Sequence, residues 1–358
     1  MTLRLTAIEA HAEGEPGRVV VGVDDRVPGD SIAERFAYAD RELHWLRRLL
    51  LHEPRGYPGL CAVLALAPSD PRADVAIIVM EQGAFTPMSG SNTMCTVTAL
   101  LETGRIPMVE PVTMVTVETA VGLVTVRAEC RDGHVIAVTI SNVPAFAVHL
   151  GLPLELPPDP RVDPRGAPLV VPVDVAFGGQ FFVLARAEDL GVGFEPTDVA
   201  RLISLGARLK LAVNRQYSVR HPDNPDIDTT NLVMITGPSP APGIDGQNAM
   251  VMATDRLSDD PATWTGALDR SPCGTGTCAR MACMHARGAL GLDQPFVHMG
   301  MLGTTFTGRL VGETTVGDYA AVLPTVTGRG WVTGRSEWVV DDSDPFPEGY
   351  TIGDIWPT

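Results

Sequence analysis

The 358-residue chain breaks into many short apolar pieces, cut apart by 36 glycines and 30 prolines. Six pieces rich in Val, Ile and Thr and bounded by turn residues predict strands: Arg18 to Val23, Val75 to Met80, Val112 to Val117, Leu123 to Ala128, His134 to Ile140 and Phe181 to Leu184. Helical spacing is confined to roughly Ser31 to Leu51, Asn92 to Thr103, Thr197 to Asn214 and Gly276 to Arg287. Strands dominate without regular βαβ alternation, which favours an α+β architecture over a doubly wound sheet. The proline-rich stretch Leu152 to Pro168 reads as a linker or domain boundary, Gly237 to Gly246 as a long loop, and Asp341 to Thr358 as packed extended chain. A chain of this length predicts two domains.

One short pattern occurs twice. Ser89-Gly90-Ser91-Asn92-Thr93 is echoed by Cys273-Gly274-Thr275-Gly276-Thr277. Each copy opens a helix-like run, and the runs end at Gly104 and Gly288, equally far on. Pro87 and Pro272 stand just before the two copies, so neither lies in the middle of a helix. The simplest reading is two similar half-molecules, each presenting a helix N-terminus.

A helix start exposes unpaired backbone N–H groups and the positive end of the dipole. Small residues such as Gly90, Ser91, Gly274 and Thr275 let a ligand approach those groups. Two facing starts suit one anion, and a carboxylate fits well. A carboxylate held there places its α-carbon beside Ser89 and Cys273. The same environment lowers a thiol's pKa and makes Cys273 a plausible base near neutral pH. Asp269 could bind the ammonium of an amino acid so held; the competing reading is an ordinary loop or cap aspartate.

Two other motifs fail on context. Gly274-Thr275-Gly276-Thr277-Cys278-Ala279 fits a dinucleotide fingerprint in form, but Arg270-Ser271-Pro272 cannot end a buried parallel strand. His11-Ala12-Glu13 with Pro272-Cys273 suggests a zinc deaminase, yet the next cysteine, Cys278, is too far on for its cysteine pair. The six cysteines lack the CxxC spacing of structural zinc and are expected as free thiols, with Cys95, Cys278 and Cys283 in the core.

The net charge of −16 argues against nucleic acid and anionic membranes as partners. The absence of a long apolar run or a signal-like start makes the cytoplasm the expected compartment.

At these residues the chain resembles the proline racemase family, which also contains hydroxyproline epimerases and 3-hydroxyproline dehydratases. Leu268-Asp269-Arg270-Ser271-Pro272-Cys273-Gly274-Thr275-Gly276-Thr277 looks like the family's second active-site motif, and Met88-Ser89-Gly90-Ser91-Asn92-Thr93 matches the first. His11-Ala12-Glu13-Gly14-Glu15-Pro16 and Gly178-Gly179-Gln180-Phe181 also fit, so the resemblance runs from the N-terminus past Thr307. It implies a diaminopimelate epimerase-like fold of two similar halves, each a strand-rich mixed sheet wrapped around a central helix, with the active site in the cleft between them. It places the first half at 1–150 plus 330–358 and the second at 151–329. It further implies no cofactor, no metal and a homodimer. Carried over by position, Ser89 and Cys273 are the catalytic pair, Gly90, Ser91, Gly274 and Thr275 hold the substrate carboxylate, and Asp269 binds its amine.

The sequence departs from the racemase pattern where Ser89 replaces the first cysteine and Ser91 the histidine two residues on. Gly246-Gln247-Asn248 stands where hydroxyproline epimerases carry a further histidine. A serine hydroxyl is a far weaker acid than a thiol, so the pair is unequal. That leans toward a trans-3-hydroxy-L-proline dehydratase giving Δ1-pyrroline-2-carboxylate, with or without 2-epimerase activity. The alternatives are 4-hydroxyproline 2-epimerase, plain proline racemase and an amino-acid sensor without turnover.

Overall fold

In the computed structural model the described residues are 3–161, 168–239, 241–254 and 256–352. The chain forms two units. The first runs to Val143 and resumes at Val326; the second is Pro144 to Thr325. Among the described residues no helix is long and apolar enough to cross a membrane.

In the first unit, Leu3–Ala12 pairs antiparallel with Glu15–Val21. Helices α1 (Ile32–Glu42) and α2 (His44–Leu51) then carry the chain across to Cys61–Leu66, which is parallel to Glu15–Val21. Val75–Met80 returns antiparallel, with the short Phe85–Thr86 beside it. A second crossover, through α3 (Gly90–Glu102), leads to Val112–Thr119, parallel to Val75–Met80. Gly122–Arg131 and His134–Ser141 extend this as a meander. The late strand Gly330–Val340 flanks Leu3–Ala12 antiparallel.

The second unit repeats the circuit strand for strand. Leu169–Phe177 and Phe181–Arg186 are antiparallel. A crossover through α4 (Ala187–Leu190) and α5 (Val199–Gln216) reaches Thr230–Gly237, parallel to Phe181–Arg186. Gly246–Ala253 returns antiparallel, with the short Gly266–Leu268 beside it. Helix α6 (Gly274–Ala286) then leads to Phe296–Met299, parallel to Gly246–Ala253, and on to Thr305–Val316 and Tyr319–Gly328. Ala145–Leu156 flanks Leu169–Phe177 antiparallel, in the place that Gly330–Val340 holds in the first unit.

The two helices opened by the repeated pattern, α3 and α6, have thirteen residues each and end before Gly104 (φ 70°) and Gly288 (φ 69°). Every residue of α3 from Gly90 to Leu101 is buried, because strands surround it rather than one sheet face. Close approach needs glycine on the strands: a Cβ on Gly17 would meet Cys95 Sγ at 2.9 Å, and one on Gly330 would meet Thr98 Oγ1 at 2.6 Å. The outer sheet face in the first unit packs Leu5, Val20, Leu64 and Ile78 against Leu46, Leu49 and Leu50 of α2. Period-2 alternation turns the intervening Val19 and Val63, also buried, to the other face.

The helix predicted from Ser31 to Leu51 is two helices. The chain turns at Leu43 (φ −105°, ψ 17°), whose buried side chain joins Leu46 and Leu49 in the same cluster. The predicted linker is also shorter than expected. Residues 152–156 belong to a paired strand, in which Pro153 sits opposite Pro172. Residues 162–167 of that stretch, Pro240 of the predicted loop and residues 353–358 of the tail lie outside the described residues. The tail that is described is pinned to α2 and the loop after it by the Arg48–Glu348 and Arg55–Asp344 ion pairs.

Candidate active site

The predicted site residues fall into two groups, one at the start of each central helix. In the first unit Ser89 is the N-cap of α3, in ordinary extended conformation (φ −142°, ψ 125°). Its Oγ accepts from Asn92 Nδ2 at 3.0 Å and lies 3.4 Å from Ser91 Oγ. Its Oγ also accepts from the Asn92 backbone N–H at 3.5 Å, one orphan donor of the first turn, and sits at the positive end of the dipole. Donors aimed at Oγ favour extra negative charge on it, and its own proton remains to be donated. Gly90 and Ser91 follow, buried, as the first residues of α3.

In the second unit Cys273 is the N-cap of α6, but with φ 62° and ψ 107°. Positive φ is uncommon for a residue with a Cβ and is stored where the surroundings enforce it. The approach to it is braced. Asp269 N–H donates to Met250 O at 3.0 Å, Asp269 Oδ1 accepts from Ser271 N–H at 2.7 Å, and Ser271 Oγ accepts from Cys273 N–H at 3.1 Å. Gly300 leaves room for this loop, since a Cβ there would meet Ser271 O and Pro272 N within 2.9 Å. Asp269, Cys273, Gly274 and Thr275 are therefore brought together and buried, and Thr275 Oγ1 lies 3.9 Å from the thiol. The Gly178-Gly179-Gln180 motif backs onto the same turn: a Cβ on Gly178 would overlap Thr275 O at 2.2 Å.

The other cysteines are free and buried. Burial, with the neighbouring Glu15 charge, pushes the Cys95 thiol up, and burial, with Asp174, does the same for Cys283. Both are core thiols without thiolate character at neutral pH. Among the described residues no group of three or more His, Cys, Asp and Glu side chains could hold a metal ion.

Sequence reasoning missed several neighbours. Asn92 lies within the repeated pattern, yet nothing in its spacing marks it as a donor to Ser89. Thr93 and Thr277 were legible as repeats; in the structure each hydroxyl donates to the carbonyl of the residue that opens its helix, Ser89 at 2.8 Å and Cys273 at 2.7 Å. Behind Thr277 lie Asn248, Arg280 and His298, and His298 comes from a strand well downstream that no local pattern connects to Cys273.

An α+β protein of two matched units with a small-residue helix start in each is a known architecture. The chain aligns with a PhzF-family phenazine biosynthesis protein from Bacillus anthracis over 94% of its length and 100% of that chain, at TM-score 0.56 and 12% identity, a likeness of fold alone. The narrower assignment follows from sequence: the proline racemase family model matches residues 7–351, and the chain belongs to that family. It is 38% identical over 346 residues to a 4-hydroxyproline 2-epimerase of Streptosporangium roseum, covering 97% of this chain and 98% of the relative. It is also 38% identical over 358 residues to a 4-hydroxyproline 2-epimerase of Allorhizobium ampelinum, covering 98% and 95%. A crystal structure of a hydroxyproline epimerase from Agrobacterium vitis with bound trans-4-hydroxy-L-proline matches at TM-score 0.88 and 37% identity, over 99% of this chain and 96% of that one.

Proposed function

We propose that this protein is a 4-hydroxyproline 2-epimerase that works without a cofactor, using Cys273 and Ser89 as its proton-handling pair. The observation that carries the reading is the pair of matched helix starts bearing these two residues, in a chain whose relatives bear that name over nearly their whole length. The preference for 3-hydroxyproline dehydration drawn from the unequal pair gives way accordingly.

The substrate carboxylate lies on the N–H groups of Gly90, Ser91, Gly274 and Thr275, and Asp269 receives the ring ammonium. One member of the pair removes the α-proton while the other delivers a proton to the opposite face. The electron pair left on the α-carbon delocalises into the carboxylate, where fixed N–H donors meet the growing charge. Inversion leaves the two groups with exchanged protonation, and solvent resets them. Asn92 aids Ser89 in this scheme because its amide donates to Oγ as charge builds there. The homodimer implied by the family resemblance belongs to the same proposal.

Dehydration of trans-3-hydroxy-L-proline remains a second reading, favoured by one observation: position 89 is a hydroxyl, and elimination needs only one strong base. Both are tested together by incubating the protein with trans-4-hydroxy-L-proline and, separately, trans-3-hydroxy-L-proline in deuterated buffer under proton NMR. Accumulation of the deuterated C2 epimer from the 4-hydroxy compound supports the epimerase. Conversion of the 3-hydroxy compound alone to a cyclic imine overturns it in favour of the dehydratase.

A further inference from the structure

Ser89 and Cys273 hold corresponding places on different backbones, φ −142° against φ 62°. The threonine four residues on bonds back to the helix-opening carbonyl in both units, so that bond does not explain the difference. What accompanies the unusual φ is a buried polar chain. Thr277 donates to Cys273 O at 2.7 Å, so its oxygen accepts the Nδ1–H of His298 at 2.8 Å. That tautomer leaves Nε2 as an acceptor, and Arg280 donates to it at 2.7 Å. Asn248 Nδ2 donates to Pro272 O at 3.0 Å and Met299 O at 3.2 Å.

These groups are built in, not incidental. Thr277, His298 and Asn248 are at most 1% exposed. The imidazole is held neutral, first by burial and then by the Arg280 cation, as its acceptor role requires. Arg280 lies over the Phe296 ring at 5.2 Å and also donates to Gln247 O at 3.2 Å. Gly246 makes room for it, since a Cβ there would meet the guanidinium at 2.7 Å. A polar network of this kind in a core costs desolvation and gives in return a fixed geometry.

We propose that Arg280, His298 and Thr277, with Asn248, are positioning residues that fix the carbonyls on either side of the Cys273 Cα, and so hold its thiol on the substrate α-carbon. The peptide before Cys273 is held by Asn248 and the peptide after it by Thr277, leaving the φ of Cys273 no freedom to relax. Small displacements at a reacting atom cost far more rate than binding. This inference rests on the reading of Cys273 as a proton-handling residue.

The test is epimerisation of trans-4-hydroxy-L-proline by Thr277→Val, which keeps the shape and removes the hydroxyl, beside Thr277→Ser, which keeps the hydroxyl, and Cys273→Ser. Thr277→Val is expected to lose kcat roughly ten- to a hundredfold with KM within about twofold, and Thr277→Ser to recover most of it. Should Thr277→Val not fold, Arg280→Met takes its place, with a smaller loss of kcat at unchanged KM. A folded Thr277→Val or Arg280→Met with wild-type kcat, beside an inactive Cys273→Ser, overturns the positioning role alone. An active Cys273→Ser overturns the catalytic reading beneath it.

Discussion

Gly276 lies so close to Cys273 that a methyl group built on it would meet the thiol sulfur at 3.0 Å, and Met234 Cε at 2.3 Å. Both neighbours belong to the core cluster around α6, with Phe182 and Met250. Gly276→Ala is therefore expected to cost about 1–3 kcal/mol by overpacking, offset in part by alanine's better helix propensity. It is also expected to displace the sulfur, so kcat falls more than the melting temperature alone suggests. Thermal melts beside steady-state kinetics check this; a variant as stable and as active as the parent contradicts the packing.

Ser89 combines a cap with a proposed proton-handling group, and the two roles separate in Ser89→Ala. Loss of the cap is expected to cost about 1 kcal/mol in a denaturant titration. Epimerisation is expected to fall at least about a hundredfold. Exchange of the α-hydrogen with deuterated solvent continues for the one C2 epimer whose α-hydrogen Cys273 faces. A folded Ser89→Ala protein that epimerises at full rate removes Ser89 from the pair.

Asp269→Asn keeps an oxygen for the Ser271 N–H, so the loop stays braced while the charge is lost. A hydrogen bond to a charged group is worth about 1.5–3 kcal/mol, so KM should rise roughly ten- to a hundredfold. A smaller change in kcat is expected, since Asp269 is assigned to the amine and not to the proton. Unchanged KM in this variant takes amine binding away from Asp269.

The pH dependence of stability has a definite sign. His298 is neutral in the fold and ionises well below the usual imidazole range, chiefly through burial and secondarily through Arg280. The unfolded chain binds that proton near pH 6.5. Stability is thus full above about pH 6.5 and falls as the pH drops, by up to about 1.4 kcal/mol per pH unit for one such group. His52, drawn down to about 4 by burial and then by Arg47 and Arg48, acts in the same direction between about pH 6.5 and 4. Denaturant unfolding between about pH 7.5 and 5 should show the decline, and His298→Gln should reduce its slope by close to one proton. Equal slopes in the two proteins rule His298 out as its source.

The doubled architecture was legible because the repeated pattern sits where chemistry restricts the choice: small residues at a helix start, a glycine after its end. Strand segments such as Val75 to Met80 were legible from their β-branched runs. Leu43 shows the limit, since nothing in a continuous apolar stripe says that the helix turns there; the sheet face it packs on decides. Cys273 shows another. Its motif is local, but its φ and its support depend on Asn248 and His298, which reach it through strand pairing.

The second unit's circuit is closed by Ala145–Leu156 from its own continuous run, whereas the first unit's is closed by Gly330–Val340, from far down the chain. During synthesis the ribosome therefore releases every strand of the second unit before the first can be finished. Until then the outer edge of Leu3–Ala12 stands open, a ready template for another chain. The half of the molecule begun first is the half completed last, and damage near residue 340 will be felt at residue 3.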